Sequence, residues 1–193
     1  MTFTDRAESS LETEYGNFQI HVFKDQAQKE HLALVMGSIT NSPRPILTRI
    51  HSECMTGDTL FSHHCDCGEQ LKAAMQAVAN EQSGIILYMR EEGRGIGLTA
   101  KIKAYSLQQQ KGLDTFAANE ALGFAADARD YRLAAEILKE LQVTRIRLLT
   151  SNPNKATSLR SFGLEVEQIK LDVEVTSERA QKYLQDKSKH NAR

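Results

Sequence analysis

The chain of 193 residues has no tryptophan, only three prolines and only three cysteines, and its 24 Lys and Arg nearly balance 25 Asp and Glu. Each shortage excludes something. A formal net charge of −1 exerts no general electrostatic pull on nucleic acid. Without tryptophan, and with few other aromatics, there is no obvious stacking platform for bases. No long apolar run occurs, so no membrane span is expected. The first residues, Met1-Thr-Phe-Thr-Asp-Arg, lack the apolar core of a secretory signal, which points to the cytoplasm. The sequence also lacks repeats, low-complexity tracts and a Pro/Gly-rich linker. It therefore reads as one domain over 1–193, long enough for a substantial core, with a polar and divergent tail from about residue 172.

What is present is concentrated. All three cysteines, Cys54, Cys65 and Cys67, fall within fourteen residues. A structural zinc is normally closed by four protein ligands, whereas a catalytic zinc keeps one position open. Three thiols without a fourth cysteine thus suggest a zinc that does chemistry, supplying hydroxide near neutral pH. Buried metal-free thiols, or a disulfide plus one free thiol, are the plain alternatives. Cys-x-Cys is poor geometry for a disulfide, and Cys65-Asp66-Cys67-Gly68 is polar and turn-like rather than core-like. His51, His63 and His64 each remain candidates for a fourth ligand.

Periodicity gives alternating elements. Strands are expected at Asn17–Phe23, His31–Met36, Ile46–Ile50, Gly84–Arg90, Arg145–Thr150 and Leu164–Leu171. Helices are expected after the cysteines (Leu71, Ala74, Met75 and Val78 on one face), at Ile96–Gln110, at Asp130–Leu141, from Pro153 to a stop at Gly163, and at Ser177–His190. The fold class is α/β, a mixed sheet flanked by helices.

Three further clusters accompany the cysteines. Arg90-Glu-Glu-Gly-Arg-Gly-Ile-Gly-Leu links a strand to a helix, where backbone N–H groups can approach an anion. It is neither a P-loop nor a clean dinucleotide fingerprint, and tight turns alone explain many such glycines. Arg90 and Arg94 suit phosphate oxygens, and Glu91 or Glu92 suits a guanine-type N–H edge. Gly123-Phe-Ala-Ala-Asp-Ala-Arg-Asp-Tyr precedes a helix, where Asp127 or Asp130 also reads as a cap. Thr150-Ser-Asn-Pro-Asn-Lys155 ends a strand and opens a helix. There Lys155 is either a phosphate ligand or a solvated surface charge.

Together with Arg49-Ile-His-Ser-Glu-Cys-Met-Thr-Gly-Asp, Cys65-Asp-Cys-Gly-Glu-Gln-Leu and Lys103-Ala-Tyr, these clusters resemble, in order and over about residues 15–163, the GTP cyclohydrolase II family. That family opens the imidazole ring of GTP, releasing formate and pyrophosphate, at the start of riboflavin synthesis. The resemblance implies zinc on Cys54, Cys65 and Cys67, and magnesium with the triphosphate. It implies GTP contacts from Arg49, Ile50, His51, Ser52, Glu53, Gln70, Glu92, Gly93, Arg94, Thr115, Thr150 and Lys155. It makes Asp127 the proton acceptor and Arg129 the nucleophile, sets Tyr105 at the reacting ring, and implies a homodimer. A guanidinium is protonated at ordinary pH and is a poor nucleophile, so Arg129 is equally expected to stabilise phosphate charge. Asn154 and His64 stand where the family usually carries basic residues, and the C-terminal stretch departs most.

Two rivals follow from the same residues. His51-Ser-Glu53 satisfies the His-x-Glu of zinc nucleobase deaminases, but their Pro-Cys-x-x-Cys is missing. A non-catalytic zinc-knuckle regulator that binds GTP is the other, and the absence of a basic-aromatic surface weighs against its nucleic-acid-binding form.

Overall fold

A computed structural model describes residues 2–124 and 129–173. Its centre is one seven-stranded mixed sheet, composed of β1 (Phe3–Thr13), β2 (Gly16–Asp25), β3 (Glu30–Met36), β4 (Ile46–Ser52), β5 (Gly84–Met89), β6 (Arg145–Leu149) and β7 (Glu165–Ile169), in the order β1-β2-β3-β5-β4-β6-β7. β1, β2, β3 and β5 pair antiparallel in turn, while β4, β6 and β7 run parallel. The helices are α1 (Cys67–Glu81), α2 (Gly97–Lys111), α3 (Thr115–Ala121), α4 (Arg132–Glu140) and α5 (Pro153–Ser161).

The alternation of β5 shows why helices are needed on both faces. Ile85, Leu87 and Met89 join a core cluster with Ala134, Ile137 and Leu138 of α4 and Leu159 of α5. Ile86 belongs to a second cluster, with Ala74, Met75 and Val78 of α1. A strand apolar on both sides must be covered twice. Complete burial of side chains such as Ile137 and Leu138 contributes about 1.5–3 kcal/mol each. The expected α/β class, the six strands and four of the five helices are found. The helix expected at Ser177–His190 lies outside the described residues, as does most of the tail. Among the described residues, no helix is long and apolar enough to cross a membrane.

The chain gathers into two compact units, interleaved in sequence. The first holds the sheet with the body of α1, α4 and α5. The second comprises segments 52–70 and 91–129, and so carries the cysteines, the glycine loop, α2 and α3.

Within the first unit, His31 fixes the point where the chain leaves β5. It is fully buried, its Nδ1 accepts the Arg90 N–H at 3.2 Å, and its Nε2 lies 3.2 Å from Asp25 Oδ2. Both contacts are satisfied by the neutral imidazole. Burial lowers the His31 pKa from its ordinary 6.5 and outweighs the opposing pull of Asp25. Burial alone would raise Asp25, but hydrogen bonds from the Lys29 N–H and from His31 leave its carboxyl below its ordinary value. Both folded pKa values are therefore depressed, and the unfolded chain takes up the protons first. The stability is complete above pH 6.5. It falls as pH drops below 6.5 toward the folded-state value of His31, with Asp25 adding its share below 3.8. The thermal midpoint should decline between pH 7.5 and 5, and decline less in His31→Gln; equal slopes would refute this.

Candidate metal centre

The second unit is built around the thiols. Met55–Thr59 forms one wide π-helical turn capped by Cys54. The Cys54 N–H donates to Asp58 Oδ2 at 2.9 Å, and the Asp58 N–H returns to the Cys54 carbonyl at 2.7 Å. This turn curls round the sulfur, so that Gly57 N–H points at Cys54 Sγ from 3.4 Å. Gly57 is obligatory for packing: a Cβ there would meet Cys65 Sγ at 2.9 Å and Cys54 Sγ at 3.2 Å. Cys67 opens α1, and Gly68 behind it lets the helix meet the turn, where a Cβ would strike the Gly57 carbonyl oxygen at 2.5 Å.

All three sulfurs lie within 4.8 Å of one another, and Cys54 Sγ is 3.6 Å from Cys65 Sγ. A disulfide needs about 2.05 Å. Tetrahedral zinc with bonds of about 2.3 Å sets its sulfurs about 3.8 Å apart, so the trio fits zinc. Among the described residues the cluster consists of the three cysteines alone. His64, a candidate fourth ligand, uses Nδ1 at Ser62 Oγ (3.2 Å) and Nε2 at Gln109 (3.3 Å). Zinc held by these three thiols would take water or substrate as its fourth ligand. Hydrogen bonds from Cys65 and Cys67, aided by Lys101, hold Cys54 far below the usual thiol range. Cys65 is pushed up to about 11 by its bond with Cys54, and Cys67 well above its ordinary value by its bonds with Cys54 and Cys65. A dication would displace those protons on binding.

Sequence reasoning missed Lys101. It is buried on α2, and its Nζ donates to Cys54 Sγ at 3.0 Å and to Glu92 Oε1 at 2.8 Å. Burial disfavours its charge, but Glu92 and Cys54 overcome that and raise its pKa above the ordinary value. The available signal was its position one helical turn before Tyr105, on the same face of a helix leaving the glycine loop. Glu92 accepts two more bonds, from the N–H groups of Met55 and Gly93, both at 2.7 Å. The carboxylate expected at a guanine edge is thus engaged by three donors of the chain itself.

The rest of the second unit is placed as follows. Tyr105 stacks on His64, with ring centroids 4.8 Å apart at 15°. Its hydroxyl is 3.5 Å from Thr56 Oγ1, itself 3.6 Å from Cys54 Sγ, and burial raises its pKa. Gly93 and Arg94 both adopt left-handed backbone, at φ 63° and 60°. For Arg94 that costs about 1–2 kcal/mol, a strain that clusters at functional sites. Arg129 Nη1 donates to Ser52 Oγ at 3.4 Å. The Gln70 amide donates to the buried Asp66 carboxylate, and Thr115 Oγ1 accepts from Gln108 at 3.4 Å. Ser52 and Glu53 lead into Cys54. Asp127 lies outside the described residues.

The first unit holds the others. Arg49, Ile50 and His51 lie on β4. Arg49 Nη1 donates to the Leu149 carbonyl at 2.9 Å, and His51 stacks on Tyr88 with centroids 5.6 Å apart. Lys155 is 4% exposed, donates to the Ile50 carbonyl at 2.8 Å and lies 5.4 Å from the centre of the Tyr131 ring, so it is not a solvated surface charge. Thr150 ends β6, and its Oγ1 accepts the Asn152 N–H at 3.0 Å. Asn152 in turn caps α5.

Comparison with known proteins finds a matching family and relatives. The family model described as GTP cyclohydrolase II matches residues 4–170. The chain is 51% identical to the GTP cyclohydrolase-2 of Neisseria meningitidis serogroup B (strain MC58), over 94% of this chain and 91% of the relative. It is 48% identical to the riboflavin biosynthesis protein RibBA of Bacillus subtilis (strain 168), over 92% of this chain but only 45% of that relative's length. In fold it is similar to RibBX, a two domain 3,4-dihydroxy-2-butanone 4-phosphate synthase from A. baumannii. There the TM-score is 0.51 at 20% identity, over 90% of this chain and 41% of the other.

Proposed function

The chain belongs to the GTP cyclohydrolase II family, and on that premise we propose that it hydrolyses GTP. The imidazole ring is opened, and formate and pyrophosphate are released with 2,5-diamino-6-hydroxy-4-(5-phosphoribosylamino)pyrimidine, the entry to riboflavin. The observation that carries this reading is the trio of thiols at zinc-compatible spacing, with the Tyr105 hydroxyl joined to it through Thr56. Zinc held by Cys54, Cys65 and Cys67 would supply Lewis acidity and a water of lowered pKa for attack at C8 of the guanine.

The chain's own groups do the rest. Tyr105, protonated because burial raises its pKa, orients water or donates a proton to the opening ring. Arg94 and Arg129, with magnesium, neutralise the triphosphate. Glu92 holds the glycine loop to the metal turn through Met55, and there it can also present its carboxylate to guanine. The roles of Arg49, Ile50, His51, Ser52, Glu53, Gln70, Gly93, Thr115, Thr150, Lys155 and Asp127 rest on the family alone. So does the homodimer.

The test is incubation with GTP and magnesium, reading formate, pyrophosphate and the pyrimidine separately, with ATP as control. Ammonia in place of formate would support a deaminase, GTP binding without turnover a regulator, and comparable ring opening of ATP would remove the guanine specificity. Tyr105→Phe should lower formate production by about 10²–10⁴-fold, as loss of a positioned acid does. Its fold should remain, since the ring and its His64 stack are kept. Wild-type rate in that variant would make Tyr105 a packing residue.

A further inference from the structure

Lys101 brings a charged group into contact with a thiol. The three directions of its ammonium are all accounted for: Cys54 Sγ at 3.0 Å, Glu92 Oε1 at 2.8 Å, and the face of Tyr105, whose ring centre is 5.8 Å away. Burying an ammonium is costly unless its partners are fixed. Here they are, because Glu92 is itself pinned by Met55 and Gly93 N–H groups. A lysine needed only to pair with Glu92 would have no reason to point at sulfur.

We propose that Lys101 is the positioning residue of the metal centre, donating an N–H···S hydrogen bond that withdraws electron density from Cys54 and ties the thiol cluster, through Glu92, to the glycine loop. The inference rests on the reading of the three cysteines as a zinc site. Three thiolates around a dication carry one net negative charge, and the ammonium of Lys101, shared between Cys54 and Glu92, offsets part of it. A hydrogen bond to a ligating sulfur stabilises its lone pairs. It thereby weakens donation to the metal and the sulfur's own nucleophilicity, leaving the metal a stronger Lewis acid. Groups that hydrogen-bond to ligands in this way typically alter metal affinity or activity by about 10–100-fold. The same side chain fixes Glu92, so the metal turn and the nucleotide loop share one anchor.

The test uses protein loaded with cobalt(II) in place of zinc, with Lys101→Met, Lys101→Gln and Lys101→Arg. Removing the N–H···S bond raises the energy of the sulfur electrons, so the sulfur-to-cobalt charge-transfer band should move to longer wavelength in the Met variant. The Gln variant should shift less, and Arg should restore the wild-type position. In zinc-loaded Lys101→Met, iodoacetamide should label Cys54 faster than in wild type, as located by peptide mass. kcat should fall by about 10–100-fold. If wild-type protein shows no charge-transfer band, the zinc reading itself fails, and this inference with it. If wild type shows the band and neither Met nor Gln moves it, the zinc reading stands and this inference is overturned. Loss of fold in both variants would also overturn it, making Lys101 a purely structural ion-pair partner.

Discussion

Cys65→Ser should abolish zinc binding and formate production while part of the pyrophosphate release from GTP persists. Cys65 is 4% exposed and its sulfur lies 3.6 Å from Cys54 Sγ, so the smaller hydroxyl fits the space without displacing Gly57. What serine cannot provide is a soft anionic ligand, because an alcohol keeps its proton where a metal-bound thiol loses it. With two thiolates left, a zinc-binding group of three becomes incomplete. Wild-type protein should gain thermal stability on adding zinc, since a ligand bound only by the folded form raises its midpoint, and the variant should gain none. Circular dichroism establishes that the variant remains folded. A folded, zinc-free Cys65→Ser protein that still produces formate would make the zinc structural. One that loses both products would show that ring opening and phosphate cleavage share the metal.

The legibility of this molecule in its sequence was uneven for physical reasons. Strands with an apolar face, such as β3, or apolar on both faces, such as β5, announce themselves, as does α4 with Ala134, Ile137 and Leu138 in register. β1 does not. Its eleven residues are almost all exposed, and it exists because hydrogen bonds along β2 hold it, with Phe3 the buried residue at its end. Its cause is a pairing partner, which composition cannot show. α3 was missed because seven residues carry too few turns to establish a period.

The site divides in the same way. The metal trio was readable because only three cysteines exist and their spacing is short. The fourth-ligand question was not, because it depends on where His64 turns its ring nitrogens, which Ser62, Gln109 and Tyr105 decide together. Lys155 reads in the sequence as either a phosphate ligand or a surface charge, and only the Ile50 carbonyl, 105 residues away in sequence and receiving it in the core, removes the second alternative. Lys101 was invisible because a lysine on a weakly amphipathic helix looks solvated. Only the thiol and the carboxylate brought to it by tertiary structure reveal that it is not.

Arg129→Gln should give the mirror image of the cysteine variant: zinc fully bound, formate still produced, and pyrophosphate release reduced on the order of 10²–10³-fold, as expected when a charged stabiliser of a developing anion is removed. Arg129 is half-buried, with Nη1 3.4 Å from Ser52 Oγ, two residues before Cys54. A guanidinium there remains protonated at any working pH and has no lone pair to offer phosphorus. Its planar fork is suited to two phosphate oxygens at once. Arg129→Lys should therefore recover part of the rate, because charge survives and the bidentate geometry does not. Intact-mass measurement of acid-quenched wild-type enzyme during turnover distinguishes this from covalent catalysis. The charge-stabilising role predicts protein of unchanged mass throughout. A nucleotidyl adduct that disappears in Arg129→Gln would establish Arg129 as the nucleophile and refute the electrostatic role. Should Arg129→Gln lose formate as well as pyrophosphate with its zinc intact, ring opening would have to follow phosphate cleavage rather than proceed independently of it.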